Sequence, residues 1–460
     1  MKTAVIKTVA EIKFPIVFLS SIFLSCMVGI ATRPIDGLSL FWPANAIMLG
    51  FMIRRPELNT TKLWIASLVS YILADALLGT ALSKSLALNI TNIASVWVAF
   101  YIYRRVNIDA VGLKEMSAVA SIVLISISGS FGAGVLGGLF DSLFFVKGFF
   151  VSFFIWFSAE IVNYAAILPL LLSRIPKSFV ENNFNLNKIT VKDVLPTSSL
   201  MLSLSLSTIF HGPGAIAFSV SSLVWCAITY KVFYISIINF IFVLWSALLF
   251  YKTIDTSQVN QESLLSIRLA VSMISFAPIM VAIAWQNKRT KLRALEYRAT
   301  HDSLTNILNH LEFKRKLDRS LKQAVSQSAI IMVDIDHFKS INDTYGHAAG
   351  DTVLKIFSQR LKSCIRENDD LGRLGGEEFG IVFKHCGPEE AKIIINRIFK
   401  AVKSPISLRD GTSLSITASM GVCFFNPGEE DDSTAILAKA DELLYLAKSK
   451  GRDRVEICEA

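Results

Sequence analysis

Two acidic signatures in the C-terminal third of the chain carry residue types that can do chemistry. They are Asp334-Ile335-Asp336-His337-Phe338-Lys339 and Gly375-Gly376-Glu377-Glu378-Phe379. Each adjoins an apolar, strand-like run, residues 329–333 before the first and 380–383 after the second. Carboxylates facing each other from neighbouring strands make a cage for a divalent metal working on nucleotide phosphates. Mg²⁺ takes hard oxygen ligands and draws only a few of them from protein. The glycine pair beside the second signature has no side chains, so a nucleotide can approach its backbone.

The elements that must position these residues follow from the pattern around them. Residues 329–334 read as a buried strand and 352–365 as an amphipathic helix. Residues 371–384 read as two strand arms around Gly375-Gly376, a hairpin signal. Helices over 388–402 and 433–449, a strand over 414–424 and a last short strand over 454–457 complete the order. The expected fold of 301–460 is α+β and palm-like, with a central antiparallel sheet.

In its ordered motifs this segment resembles the GGDEF domain of the diguanylate cyclases, in its GGEEF form. Beside the two signatures, the matching residues are His301-Asp302-Ser303-Leu304-Thr305, Ile341-Asn342-Asp343, Gly346-His347 and Gly350-Asp351. Arg373-Leu374 leads into the second signature, and Ala440-Asp441 and Lys448-Ser449-Lys450-Gly451-Arg452 close the series. The resemblance implies condensation of two GTP into cyclic di-GMP and two pyrophosphates, by two domains facing each other in a homodimer. It implies Mg²⁺, with Mn²⁺ as the alternative ion, held by Asp334, the main-chain carbonyl of Ile335 and Glu377. Glu377 and Glu378 are the catalytic candidates, Glu377 as proton acceptor, with Arg373 assisting. Asn342 and Asp351 would read guanine. The amides of His337 and Phe338 would hold phosphate, together with Lys448 and Arg452 one helical turn apart, and Gly375 and Gly376 would admit the nucleotide. Arg366-Glu367-Asn368-Asp369 resembles the family's RxxD inhibitory product site, with Arg397 as its second arginine.

The opening motif departs from the family's: Asn306 stands where a glycine is usual and His310 where an arginine is usual. Asp453 likewise replaces the common asparagine after Gly451-Arg452. The alternative to an enzyme is a non-catalytic receptor that binds GTP or cyclic di-GMP and signals by contact. Retention of the carboxylates weighs against it.

The first 285 residues have another character. Hydrophobic residues make up 52% of the chain and charged residues 18%, and the charges are concentrated after residue 285. Apolar stretches of roughly spanning length lie at 12–31, 37–53, 63–79, 85–103, 116–136, 149–172, 194–211, 214–230, 232–251 and 264–285. Ten segments are readable, with eight as the alternative because several are short. Basic residues fall in alternate loops, for example Arg54, Arg55 and Lys62, then Arg104, Arg105 and Lys114, then Arg174, Lys177, Lys188 and Lys192. The opposite loops hold only Arg33, Lys84, Lys147 and Lys252. This pattern places both ends in the cytosol of a bacterial inner-membrane protein. It also accounts for the net charge of +9 without nucleic acid.

Trp42-Pro43 interrupts the second segment, and Asp75, Glu160 and Asn163 are costly at membrane depth unless they face a polar network or a ligand pocket. Phe41-Trp42-Pro43 and the multi-span layout resemble the membrane-associated sensor (MASE-type) domains, which implies an unidentified sensory ligand. The domain expectation is therefore a polytopic α-helical membrane domain over 1–285 and a helical linker over 286–300 that touches membrane lipid through its basic residues. The cyclase-like domain follows over 301–460. Six scattered cysteines without a CxxC indicate neither a zinc site nor a disulfide framework.

Overall fold

The computed structural model describes residues 2–458 apart from 34–38, 40, 145–147, 177–178, 180–189, 211–212, 255–260, 324–325, 409–410 and 427–431. Lys147, Lys177 and Lys188 of the charge pattern lie outside the described residues. The chain divides into two compact units, Met1–Thr290 and Lys291–Ala460.

The first unit is helical: α1 (Lys2–Ala31), α2 (Ala44–Arg54), α3 (Thr61–Leu77), α4 (Leu82–Val106), α5 (Met116–Phe144), α6 (Phe149–Leu172), α7 (Val191–Phe210), α8 (Phe218–Thr229), α9 (Val232–Ile254) and α10 (Gln261–Thr300). Among the described residues seven helices are long and apolar enough to cross a membrane, fewer than the eight to ten expected. The second expected segment shows why. Pro43 stands before the first turn of α2, which is left with 11 residues, about 16 Å of helix. The stretch 214–230 likewise yields only a short apolar helix.

Close packing joins α4, α5 and α6: a Cβ added at Gly129 would lie 2.9 Å from both Ala99 Cβ and Tyr164 Cε2. The costly polar residues are tied together inside this bundle. Asp75 accepts from Ser85 Oγ (3.0 Å) and Asn89 Nδ2 (2.8 Å) and faces Arg33 at 3.3 Å. Glu160 accepts from Asn45 Nδ2 (2.6 Å) and Ser95 Oγ (3.0 Å), and Asn163 Oδ1 accepts the Trp42 amide (3.1 Å).

The second unit is built on a six-stranded sheet in the order β1-β3-β4-β2-β7-β8. The strands are β1 (Leu308–Asn309), β2 (Ser328–Ile335), β3 (Asp370–Gly375), β4 (Glu378–Phe383), β7 (Ala418–Phe425) and β8 (Val455–Ile457), with β5 (Ile406–Ser407) and β6 (Ser413–Leu414) forming a separate pair. The central strands β3, β4, β2 and β7 run antiparallel, as expected, but both edge strands pair parallel, so the whole sheet is mixed.

The helices are α11 (His310–Gln323), α12 (Phe338–Tyr345), α13 (His347–Cys364), α14 (Pro388–Val402) and α15 (Ser433–Ser449). Alternation along β2 splits the core. Ile331, Val333 and Ile335 pack in the cluster shared with α13 and α14, whereas Ile330 and Met332 pack with residues of α11 and α15. By the same parity Asp334 and Asp336 fall on the α15 face.

Two expectations need correction. The helix foreseen from residue 352 begins at His347, because its first turn is made of small residues, Ala348, Ala349 and Gly350, that give no clear apolar period. The strand foreseen over 414–424 is broken: residues 415–417 leave the ladder, the Asp336 amide donates to the Thr417 carbonyl (3.0 Å), and the Thr417 hydroxyl donates to the Asp336 carboxylate (2.7 Å).

Candidate active site

Strand β2 delivers Asp334 to its C-terminal end, where it stands opposite Glu378 in the β2–β4 register. The β3–β4 turn is made by Gly376 and Glu377, with a bulge between Arg373 and Gly375. Gly376 has φ +38° and open space where a Cβ would be, so backbone conformation and access both favour glycine there. The Ile335 amide donates to the Glu377 carbonyl (3.4 Å), which closes the hairpin over the end of β2.

Asp334 and Glu378 are therefore cross-strand partners with Glu377 in the turn beside them, although among the described residues no three acidic, His or Cys side chains are grouped closely enough to hold a metal ion by themselves. Burial pushes the Asp334 carboxyl up to about 6, Lys448 pulls it back, and the charges of Glu377 and Glu378 add to the rise. The cation that meets Asp334 is Lys448, with Nζ 2.9 Å from Oδ2. Crowded carboxylates against a single lysine leave surplus negative charge, and the donor set is all oxygen. Those features fit a divalent ion held by Asp334, Glu377 and the Ile335 carbonyl.

The start of helix α12 lies next to Asp334 and Ile335 in the chain. His337 adopts a left-handed conformation (φ +59°) and caps α12, whose first amides have no intrahelical acceptor. Asn342 sits on α12 and the exposed Asp351 on α13. A Cβ at Gly350 would lie 1.9 Å from Asn342 Oδ1, so the absence of a side chain there lets α13 close on Asn342.

Arg452 is not one helical turn beyond Lys448. Helix α15 ends at Ser449, and Gly451, Arg452 and Asp453 all have positive φ, so Arg452 projects from a left-handed turn. It is exposed, and among the described residues its guanidinium has no partner. Lys448, expected on phosphate, makes its contact with Asp334. Arg373 binds Asp302 Oδ1 (3.2 Å) and the Gly376 carbonyl (2.9 Å from Nε), bracing the hairpin against the opening motif. Partial burial works against Asp302, but bonds from Thr305 and the Arg373 charge hold its carboxyl below the usual range.

Sequence reasoning assigned no role to Asp336, Gly350 or Asp302. Buried Asp336 accepts from Thr417 Oγ1 (2.7 Å), Ser419 Oγ (2.7 Å) and the Asp453 amide (3.1 Å), so it anchors the turn that presents Arg452. The signal for it was present: an acid two residues after Asp334 shares its face of the strand.

Arg366 and Asp369 of the RxxD run lie just before the other, N-terminal end of β3. The Arg366 amide donates to Asp369 Oδ2 (2.9 Å), and the Lys384 amide donates to Asp369 Oδ1 (3.2 Å), so Asp369 closes its own turn. The Arg366 guanidinium pairs with Glu390, and Arg397 donates to the Cys364 carbonyl. The two arginines thus stand at the C-terminal end of α13, each with a protein partner.

The family profile described as "Diguanylate cyclase, GGDEF domain" matches residues 299–454. The chain is similar to the probable diguanylate cyclase DgcF of Escherichia coli O157:H7, at 28% identity over 444 residues, covering 93% of this chain and 91% of that one. It is 35% identical over 181 residues to the diguanylate cyclase TpbB of Pseudomonas aeruginosa, covering 38% of this chain and 41% of that one. Among solved structures, the coiled coil and GGDEF domain of DgcB from Caulobacter crescentus, in complex with c-di-GMP, matches at 29% identity and a TM-score of 0.36. That match covers 38% of this chain and 93% of the other.

Proposed function

We propose that this chain, which carries a GGDEF domain and is similar over most of its length to a probable diguanylate cyclase, is a membrane-tethered diguanylate cyclase that works as a homodimer and is restrained by its product. The observation that supports the catalytic reading is the pairing of Asp334 with Glu378 across β2 and β4, with the charges of Glu377 and Glu378 acting on Asp334, beside a helix N-terminus that no side chain caps.

Each domain holds one GTP. Asn342 and Asp351 offer an amide and a carboxylate to the polar edge of guanine. The α12 amides and Arg452 take phosphate oxygens, and Lys448 exchanges part of its bond to Asp334 for the incoming phosphate. Bound between Asp334, Glu377 and the Ile335 carbonyl, Mg²⁺ or Mn²⁺ would neutralise triphosphate charge. Glu377 accepts the proton of the 3′-hydroxyl, with Glu378 beside it on β4. That oxygen attacks the α-phosphorus of the GTP on the partner domain and displaces pyrophosphate. The reciprocal attack closes the ring, so two phosphorus–oxygen bonds form, two break, and two pyrophosphates leave. Arg373 acts by holding the hairpin.

Product restrains the enzyme at Arg366, Asp369 and Arg397. The Arg366–Glu390 pair is exposed and is worth about 0–1 kcal/mol, so a guanine nucleotide phosphate displaces Glu390 readily. On this reading the protein sits in the bacterial inner membrane with the catalytic unit in the cytosol and the helical unit as the sensor; the seven long apolar helices among the described residues support it.

Product analysis of the purified full-length protein incubated with GTP and Mg²⁺, beside Glu377→Gln, tests the reading. Cyclic di-GMP from the wild type alone is expected; equal turnover by Glu377→Gln overturns the site.

A further inference from the structure

Where α10 leaves the helical bundle, a cleft of about 640 Å³ opens on the side that carries the arginine- and lysine-rich loops. Lys114, Arg174 and Lys231 reach it from three separate connections, and Gln286, Asn287 and Thr290 of α10 form one wall. Elsewhere in this unit Arg33 and Arg55 are paired with Asp75 and Glu57. The three cations of the cleft have no carboxylate partner among the described residues.

Two further features belong to residues that line the same space. The Ile235 amide bonds back to the Lys231 carbonyl, so α9 starts here, and the three amides before Ile235 have no intrahelical acceptor. The Gln286 Nε2 atom is fully buried and has no acceptor. The walls are fixed beforehand: the Gly112 amide donates to the Leu172 carbonyl (2.6 Å), and Arg54 Nη2 donates to the Ser173 carbonyl (2.5 Å).

Unpaired cations, a helix N-terminus and an unmet amide donor all call for an anion rich in acceptor oxygens. The cleft is larger than inorganic phosphate needs, and Phe233 and Ile283 give it an apolar side. We propose that it binds an anionic, phosphate-bearing headgroup and that this ligand grips α10 through Gln286 and Asn287. A lipid and a soluble phosphate share that chemistry.

The inference does not rest on the catalytic reading, because binding is measured without turnover. Detergent-purified full-length protein is titrated with phosphatidylglycerol or phosphatidylcholine, and retained lipid is counted by native mass spectrometry. Phosphatidylglycerol is expected to be held about tenfold more tightly, and Arg174→Gln with Lys231→Gln to erase that preference. Gln286→Leu should weaken retention several-fold, while Arg104→Gln, outside the cleft, leaves it unchanged. Unaltered melting and gel-filtration profiles separate lost binding from lost fold. Displacement of the lipid by millimolar inorganic phosphate supports the site with a soluble ligand; failure to displace supports it with the lipid. Equal retention of the two lipids, or an undiminished preference in the double variant, overturns the proposal.

Discussion

Both regions of the molecule bury carboxylates, and they treat them in opposite ways. In the helical bundle Asp75 and Glu160 are almost wholly covered, and each accepts two hydrogen bonds from Asn and Ser side chains. In the catalytic unit Asp334 is equally covered, yet it meets one lysine and the repulsion of two glutamates. A satisfied buried acid holds elements together; an acid crowded by its own kind waits for a cation. Asp336 shows that the distinction is local, since it lies two residues from Asp334 and is satisfied three times over.

The widest gap between the two kinds should appear on Glu377→Gln. The variant keeps its shape but loses a charge from the crowded cluster. Cyclic di-GMP synthesis is expected to fall by roughly a thousandfold or more, while membrane expression stays at the wild-type level. A loss under tenfold would place Glu377 outside the reaction.

Removing a satisfied acid should instead damage the fold. Asp336→Ala strands three donors, and Glu160→Ala strands two in the bundle. Each is expected to cost on the order of 3 kcal/mol of stability, read as a lowered denaturation midpoint. If Asp336→Ala melts like the wild type and only loses turnover, the division between the two kinds of acid fails.

The crowded acid should also reveal itself through pH. A carboxyl raised in the folded state from 3.8 to about 6 costs stability once pH exceeds its unfolded value. Without metal, Asp334→Asn should therefore match the wild type below about pH 4. It should gain on the order of 1–3 kcal/mol above pH 6, after allowance for solvent screening. Urea melts in chelator at several pH values measure this, and a gain that shrinks as pH rises has the wrong sign.

The exposed Arg366–Glu390 pair is a third setting, and the effect expected there is smaller. Arg366→Ala should raise the concentration of added cyclic di-GMP needed for half-inhibition by about tenfold, with initial rates nearly unchanged. An unmoved inhibition curve would separate the RxxD turn from regulation.

What was legible in the sequence follows the range of the interactions. The hairpin read around Gly375-Gly376 and the strand read as ending at Asp334 are local patterns, and the structure forms them one residue further along, with the turn at Gly376-Glu377 and the strand end at Ile335. The contacts that tune them are not local. Lys448 reaches Asp334 from helix α15, far along the chain, and Asp336 is bonded to Thr417 and Asp453, 81 and 117 residues away. No spacing rule encodes such pairs. The parallel edges were invisible because β1 and β8 are only two and three residues long. The interruption at Trp42-Pro43 was legible, and the structure starts α2 directly after Pro43.

Helix α10 runs for 40 residues, from Gln261 to Thr300, with no break between its apolar and its basic half. A continuous helix is a shaft: each added residue advances its far end by about 1.5 Å and turns it by about 100°. The spacing between 286 and 300 is therefore a phase as well as a length. Four extra residues would return the shaft within about 40° of its original angle and seven within about 20°, whereas two would leave it facing away. Cyclase output across such an insertion series should rise and fall with a period near 3.6 residues, and a steady decline with length would mean that the shaft does not carry the turn.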